Sequence, residues 1–295
     1  MGGMLTTKEE TRMRLARLGA VGAEVPVAVD GGRTLDLRSI TADIDGAFLE
    51  HRLEAARAAV EAGELPEIDG GGLRVGAPIA RPDAVVCIGM NYAAHAAESG
   101  SEPPKQPVIF LKHPNTVVGP DDDVPLAAHA RKMDWEVELA IVIGRTAWNL
   151  GSREEAAACI AGATVADDLS ERAWQLEVSG GQWSKGKCAP SSTPLGPVLV
   201  TPDELDLGDL RLRSRINGEP RQDSSTGDLI FDCATVVQEL SRYMRLDPGD
   251  LILTGTPEGV ALSGRFPYLT DGDLVEVEIE GIGTQRHRMV AEAVA

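Results

Sequence analysis

The chain has 295 residues, of which 43% are hydrophobic, so it can bury a sizeable core in one large domain or in a large and a small one. A formal charge of −18 argues against binding to nucleic acid or to an anionic membrane. No apolar stretch is long enough to span a bilayer, and Met1 to Arg17 lacks the apolar core of a signal peptide. We therefore expect a cytoplasmic protein.

The four cysteines are widely separated and include no C-x-x-C pair. Without an export signal, this spacing indicates reduced thiols rather than disulfides, and it argues against a zinc site. The cysteines are Cys87, Cys159, Cys188 and Cys233.

The first 75 residues are expected to form a small α/β domain. Apolar runs on both sides of the Gly31-Gly32 turn predict short strands between Thr11 and Arg38. Ala47 to Ala62 has apolar residues at helical spacing, which predicts one helix. Glu64 to Gly76 contains a proline and three consecutive glycines, a composition typical of a linker. We therefore assign residues 1–75 to the small domain and 76–295 to a second, larger one.

A short strand, Asp83 to Ile88, precedes a predicted helix, Asn91 to Glu98, with Asn91 as its cap. His95 and Glu98 are three positions apart and share a face of that helix. A carboxylate beside an imidazole raises its basicity, which suits a general base, although an incidental ion pair would have the same spacing. The glycine- and proline-rich segment Ser99 to Pro107 could form a lid over a site.

Met133 to Gly144 predicts a central strand, with Glu136 and Glu138 on one of its faces. Two such carboxylates lie about 7 Å apart at Cα and could share a cation. A half-buried strand whose polar face meets water is the alternative. However, the glutamate face continues into Ala140 and Val142, which indicates that it is enclosed. A hard divalent metal would remove the cost of enclosing the two charges. The opposite face is apolar and consists of Trp135, Val137, Leu139, Ile141 and Ile143.

Asp168 is the natural third oxygen ligand, because it follows a predicted strand of small residues, Ala161 to Ala166. Gly181 to Cys188 nearly matches a phosphate-binding loop. A cysteine replaces the magnesium-binding hydroxyl and a helical segment precedes the loop, so we reject that interpretation. Lys185 and Lys187 remain as local positive charge for an anionic ligand.

The rest of the chain predicts mostly short strands, and the whole therefore an α+β, mainly β protein. The loop Thr254 to Gly259 offers N–H groups and hydroxyls suited to a carboxylate. A hairpin turn is predicted at Asn217-Gly218 and a helix at Thr235 to Met244. The remaining predicted strands are Val108–Lys112, Leu195–Val200, Leu210–Ile216, Asp228–Phe231, Leu251–Leu253, Leu274–Ile279 and Arg286–Val294.

With these motifs in order, residues 80 to 280 resemble the fumarylacetoacetate hydrolase superfamily, in its bacterial two-domain form. The resemblance implies a mixed β-sandwich roll beside the small N-terminal domain. It also implies a homodimer with one Mg²⁺ or Mn²⁺ in each subunit. The motifs are Gly89–Glu98, Asp134–Leu139, Asp168–Gln175, Lys185–Lys187 and Leu253–Gly259.

The resemblance also implies roles for nine residues. Glu136, Glu138 and Asp168 match metal ligands, and His95 and Glu98 match a water-activating pair on a lid. Lys187 matches an active-site lysine, and the matches to substrate-binding positions are Arg172, Gln175 and Thr256. Met90 and the segment Cys188 to Ser191 depart from the usual pattern, which leaves the identity of the substrate open.

The implied activity is hydrolysis of a C–C bond in a small 2,4-dioxo acid of the acylpyruvate type, giving pyruvate or a related 2-oxo acid and a second acid. His95 would take a proton from water, and Lys187 would stabilise the enolate that leaves. An isomerase, such as a 2-hydroxyhepta-2,4-diene-1,7-dioate isomerase, a decarboxylase or a hydratase would use the same enolate chemistry. A non-catalytic metal-binding protein is a further alternative, against which the presence of His95, Glu98 and Lys187 counts.

Overall fold

The computed structural model describes residues 13–98, 100 and 102–292. Thr11, two positions of the predicted lid and the end of the last predicted strand, at Val294, therefore lie outside the described residues. Strands predominate over helices, which confirms the α+β, mainly β class. The helices are α1 (Gly46–His51), α2 (Leu53–Ala62), α3 (Ala93–Glu98), α4 (Arg153–Ala157) and α5 (Cys233–Leu240). The strands are β1 (Arg14–Leu18), β2 (Val25–Asp30), β3 (Arg33–Asp36), β4 (Val75–Gly76), β5 (Val85–Gly89), β6 (Val108–Lys112), β7 (Val117–Val118), β8 (Val124–Leu126), β9 (Met133–Asp134), β10 (Val137–Ile143), β11 (Ile160–Asp167), β12 (Ser170–Glu171), β13 (Thr193–Val200), β14 (Arg211–Ile216), β15 (Glu219–Ser225), β16 (Leu251–Leu253), β17 (Leu274–Ile279) and β18 (Gly283–Ala291).

Two sheets hold most of these strands. The large sheet has the order β3-β2-β1-β13-β11-β10-β16-β5-β6, with β4 paired to β1 and β7 paired to β13. The second sheet has the order β15-β14-β17-β18-β8, and β9 and β12 form a separate short ladder. No helix among the described residues is both long and apolar enough to cross a membrane.

The central strand β10 has the two faces that its alternation predicts. Leu139 and Ile141 point into a core shared with Val277 of the second sheet. Ala140 and Val142 belong to a different core, on the opposite face. Because the glutamates share the face of Ala140 and Val142, the fold buries them, as the sequence predicts.

The N-terminal strands extend the large sheet rather than forming one of their own. Arg14 of β1 pairs with Val200 of β13 in antiparallel register. The predicted helix from 47 to 62 is two helices, because the backbone of Arg52 leaves the helical region at a φ of −126°. This break lets Phe48 of α1 and Val60 of α2 enter the same core as Ala140 and Val142. The domain boundary at residue 75 stays a prediction.

Two local predictions around α3 are wrong. Residues 228–231 form no strand, since a 3₁₀ turn ends at Asp228 and an isolated bridge joins Leu229 to Tyr92. Asn91 does not cap the helix, because its side chain bonds backbone groups of Phe231 and Thr254. The carboxylate of Asp228 takes that place and accepts the N–H of Ala94 at 2.9 Å.

Candidate active site

Three buried carboxylates meet at one end of β10. Glu136 precedes β10, Glu138 lies within it, and Asp168 follows its neighbour β11. Antiparallel pairing of Val137 with Asp167 brings these strand ends together. One oxygen from each of the three carboxylates lies within 4.8 Å of the others. All the donors are oxygens, the ligand type that Mg²⁺ and Mn²⁺ prefer, so the three residues could hold either cation.

Gly255 fixes one of these carboxylates. Its N–H donates to Oε2 of Glu138 at 2.7 Å. Its φ of +102° is strained for any residue with a side chain, and a Cβ there would lie 2.9 Å from Cβ of Asn91. The sequence therefore needs glycine at this point to bring a backbone donor to Glu138.

Two buried lysines contact the same carboxylates. Nζ of Lys187 donates to Oε2 of Glu136 at 2.6 Å and to Oδ2 of Asp168 at 2.7 Å. Nζ of Lys112 donates to Oδ1 of Asp168 at 2.6 Å. Burial alone would lower the pKa of Lys187, but Asp168 and Glu136 raise it above its usual value, so this lysine stays protonated. Close approach of Gly186 to Glu171 and Gln175 brings Lys187 to this position.

Arg172 connects the triad to Gln175. Its Nε donates to Asp134 at 2.8 Å, and one terminal nitrogen donates to Oε1 of Gln175 at 2.9 Å. The other terminal nitrogen lies 2.6 Å from Oε1 of Glu136. Since the carbonyl oxygen of Gln175 is engaged, its amide N–H₂ is the group left to donate into the cavity that Gln175 lines.

The charges around the triad are distributed unevenly. Burial would raise the pKa of Glu136, but Lys187 and Arg172 outweigh this effect and lower it to about 2. Burial raises the pKa of Glu138 well above its usual value, and Asp168 and Glu136 raise it further. Of the three carboxylates, Glu138 is thus the one without a cationic partner in the part of the chain that the structure describes, and a divalent ion bound by the triad would supply one.

Of the predicted pair on α3, His95 lines the cavity, and the two side chains are not hydrogen-bonded to each other. Nδ1 of His95 is 3.7 Å from Oε2 of Glu98, beyond hydrogen-bond range, and has no partner among the described residues. Glu98 instead forms an ion pair with Arg265 and accepts the N–H of Gly259 at 3.3 Å. His95 lines the cavity together with Glu136.

The cavity has a volume of 140 Å³, and its lining combines the charged residues described above with apolar side chains. Thr256 lines it, but its hydroxyl already donates to the carbonyl of Val137 and accepts from Gln222. Met90, which differs from the usual family pattern, lines the cavity as well. Cys188 is directed toward the end of β6, where its Sγ accepts the N–H of His113 at 3.2 Å.

Three residues of this network were not predicted from the sequence. Lys112 ends an apolar strand, and its position beside a strand end is the one signal that could have indicated it. Asp134 adjoins Trp135 at the start of the glutamate motif, where it accepts from Arg172 and from the N–H groups of Ala261 and Leu262. Arg265 lies in a loop, and no local pattern marks it.

Asp134→Ala is expected to destabilise the fold by about 3–5 kcal/mol, because it removes one of the two carboxylates that pair with a fully buried guanidinium. Chemical denaturation of the metal-free protein measures this loss. Asp223→Ala, which removes an exposed partner of Arg211, is the matched control and should cause a much smaller loss. Equal losses for the two variants would contradict the role of Asp134.

Comparisons with known proteins agree with this geometry. The family model described as fumarylacetoacetate hydrolase, C-terminal, matches residues 84–290. The mitochondrial oxaloacetate tautomerase FAHD2A of Bos taurus is 39% identical over 269 residues, which cover 88% of this chain and 85% of that protein. The structure of fumarylacetoacetate hydrolase from Exiguobacterium antarcticum is 34% identical with a TM-score of 0.85, covering 95% of this chain and 100% of that one. Maleylpyruvate hydrolase from Sphingobium sp. SYK-6, solved with manganese(II) and pyruvate, is 28% identical with a TM-score of 0.78, covering 95% and 99%.

Proposed function

The chain belongs to the fumarylacetoacetate hydrolase family, and from that premise we propose that it is a metal-dependent tautomerase of small 2-oxo acids. In this proposal Glu136, Glu138 and Asp168 hold one Mg²⁺ or Mn²⁺. The observation that carries it is a buried, all-oxygen triad of which two members, Glu136 and Glu138, line one cavity with the imidazole of His95. Such a cavity places a general base beside a substrate bound at the triad.

The residues of this chain have separate tasks in the proposed reaction. When bound, the cation supplies a Lewis acid that polarises the 2-oxo group. His95 takes a proton from C3, and the electron pair of that C–H bond forms the C2–C3 double bond. The C2 oxygen becomes an enolate, which Lys187 and the amide of Gln175 stabilise by donating hydrogen bonds. Protonation of that oxygen by water gives the enol, His95 passes its proton to water, and the reverse steps regenerate the ketone.

The contacts of Glu98 favour tautomerisation over hydrolysis. Hydrolysis needs a water molecule activated by an imidazole that a carboxylate orients, whereas tautomerisation needs one base for a carbon-bound proton. Glu98 is engaged by Arg265 and Gly259, and it does not hydrogen-bond His95. The name of the bovine relative, an oxaloacetate tautomerase, supports the same choice.

Hydrolysis of an acylpyruvate is the second candidate. In that reaction water adds to the C4 carbonyl of a 2,4-dioxo acid, the C3–C4 bond breaks, and an acid and the enolate of pyruvate are released. The observation that favours it is the short separation of His95 and Glu98, since 3.7 Å can close to a hydrogen bond when a substrate binds. The similarity to a maleylpyruvate hydrolase also supports it.

Product analysis separates the two reactions. Oxaloacetate and acetylpyruvate, each dissolved in its enol form, would be mixed with the protein and Mg²⁺. Faster loss of the enol ultraviolet band without cleavage is expected. Pyruvate with a second acid would instead identify a hydrolase, and CO₂ a decarboxylase. The same assays on Glu98→Gln sharpen the distinction, because tautomerisation should survive the change while hydrolysis falls by about 10²-fold or more.

The same family resemblance supports proposals for the quaternary structure and the cellular location. We propose a homodimer that acts on a small oxo acid in the cytoplasm, although the bovine relative is named as mitochondrial. Sedimentation of the purified protein measures the oligomeric state.

A further inference from the structure

The cavity offers no unpaired cation to a second substrate carboxylate. Among the described residues, the lysine and arginine side chains that line it are Lys187 and Arg172. Lys187 already bonds Glu136 and Asp168, and its Nζ lies 5.0 Å from the centre of the Phe110 ring. Arg172 is engaged by two carboxylates and by the amide of Gln175. Both cations are therefore neutralised before any substrate binds.

The wall beside these groups is apolar. The rings of Phe110 and Trp183 pack 5.7 Å apart. Trp183 lies so close to Gly89 that a Cβ there would be 2.4 Å from the indole ring. Two leucines at this wall are partly open to solvent, Leu176 with 47% and Leu262 with 39% of its surface exposed. A substrate tail that passes between these side chains would leave water and make van der Waals contacts with their carbon atoms.

From these two features we propose that the site selects a 2-oxo acid with a single carboxylate and an uncharged, apolar tail. This inference rests on the proposed function, because it takes the triad as the place where the 2-oxo acid head binds. It separates this chain from an enzyme that prefers a dicarboxylate such as oxaloacetate. The apolar wall then determines specificity for the tail.

The charge balance of the buried network leads to the same class of substrate. The side-chain network around the triad that links carboxylates to lysine and arginine contains four carboxylates and three cations, so within this network one negative charge has no cationic partner. A divalent cation reverses this to one positive charge, and one substrate carboxylate then neutralises the site. A second carboxylate in the tail would find no cationic partner in this network and would lie against the apolar side chains that line the cavity, which is unfavourable. The network consists of Asp134, Glu136, Glu138, Asp168, Lys112, Arg172 and Lys187.

Two oxamates test the selection without turnover, because they carry the head of a 2-oxo acid but no carbon that can lose a proton. N-isobutyloxamate has an apolar tail, and N-oxalylglycine has a carboxylate in the place of its branched end. Calorimetric titration of the Mg²⁺-loaded protein should show that N-isobutyloxamate binds at least about tenfold more tightly than N-oxalylglycine. Equal affinities, or tighter binding of N-oxalylglycine, would overturn the proposal.

A charge placed on the apolar wall should weaken the preference. Leu176→Arg is expected to reduce the affinity ratio of the two oxamates about fivefold or more, since the guanidinium can pair with the tail carboxylate. Leu73→Arg, at a leucine of similar exposure (44%) that does not line the cavity, is the matched control and should leave the ratio unchanged. An unchanged ratio in Leu176→Arg would contradict the placement of the tail.

Failure of this inference is distinguishable from failure of the proposed function. A protein that prefers N-isobutyloxamate but converts no 2-oxo acid would contradict the proposed reaction and support the proposed preference for an apolar tail. A protein that tautomerises 2-oxo acids but binds both oxamates equally would contradict the proposed preference and support the proposed reaction.

Discussion

Glu138→Gln is expected to reduce affinity for Mg²⁺ and Mn²⁺ by more than about 100-fold and to abolish activity. The amide keeps the shape of the side chain and removes the charge that has no cationic partner. Folding raises the pKa of Glu138 above its usual 4.5, so its contribution to stability is present below that pH and is lost as the pH rises. The metal-free variant should therefore be at least as stable as the wild type at pH 7, and this advantage should vanish in acid.

Calorimetric titration with MnCl₂ and chemical denaturation between pH 4 and pH 7 measure the two effects. Glu278→Gln, on the partly exposed face of β17, is the matched control and should bind metal as the wild type does. Metal binding by Glu138→Gln at the wild-type affinity would remove Glu138 from the site.

His95→Gln is expected to lower kcat/KM by about 10²–10⁴-fold, the contribution of a positioned general base. Metal affinity should change little, because His95 is outside the oxygen triad. Initial rates at saturating metal, together with a calorimetric titration of the same preparation, check both statements.

The control for His95→Gln is His51→Gln, at a histidine whose side chain is 66% exposed and does not line the cavity. It should retain full activity. A His95→Gln enzyme with the wild-type rate would mean that another group takes the proton, and that α3 covers the cavity without taking part in the chemistry.

The core of the candidate site could be predicted because its information is local. Alternation along Met133 to Gly144 assigns Glu136 and Glu138 to one face, and their neighbours on that face indicate burial. Asp168 could be predicted because it directly follows the next long strand. In an antiparallel pair the end of one strand lies beside the start of the other, so Asp168 comes close to the start of β10. The structure places all three side chains within reach of one ion.

The contacts that hold this site could not be predicted, because they join distant parts of the chain. Lys112 reaches Asp168 across 56 positions, and Arg265 reaches Glu98 across 167. Strand β15 was missed for a different reason: its sequence, EPRQDSS, has no apolar alternation, and it lies at the edge of its sheet. The position of Asn91 predicts a helix cap, but its side chain bonds backbone groups of distant loops instead.

Hydrogen–deuterium exchange at C3 of a 2-oxo acid tests the proposed chemistry most directly, because removal of that proton is the step that His95 is proposed to perform. The protein would be incubated in D₂O with Mg²⁺ and with 2-oxobutanoate or 2-oxoglutarate, so that the result does not depend on the substrate tail. We predict exchange of the C3 proton in the NMR spectrum that requires both protein and metal, and that falls at least about 10²-fold in His95→Gln and Glu138→Gln. The account would be contradicted if the protein binds Mg²⁺ but the C3 protons of both acids exchange no faster than they do with Mg²⁺ in buffer without protein.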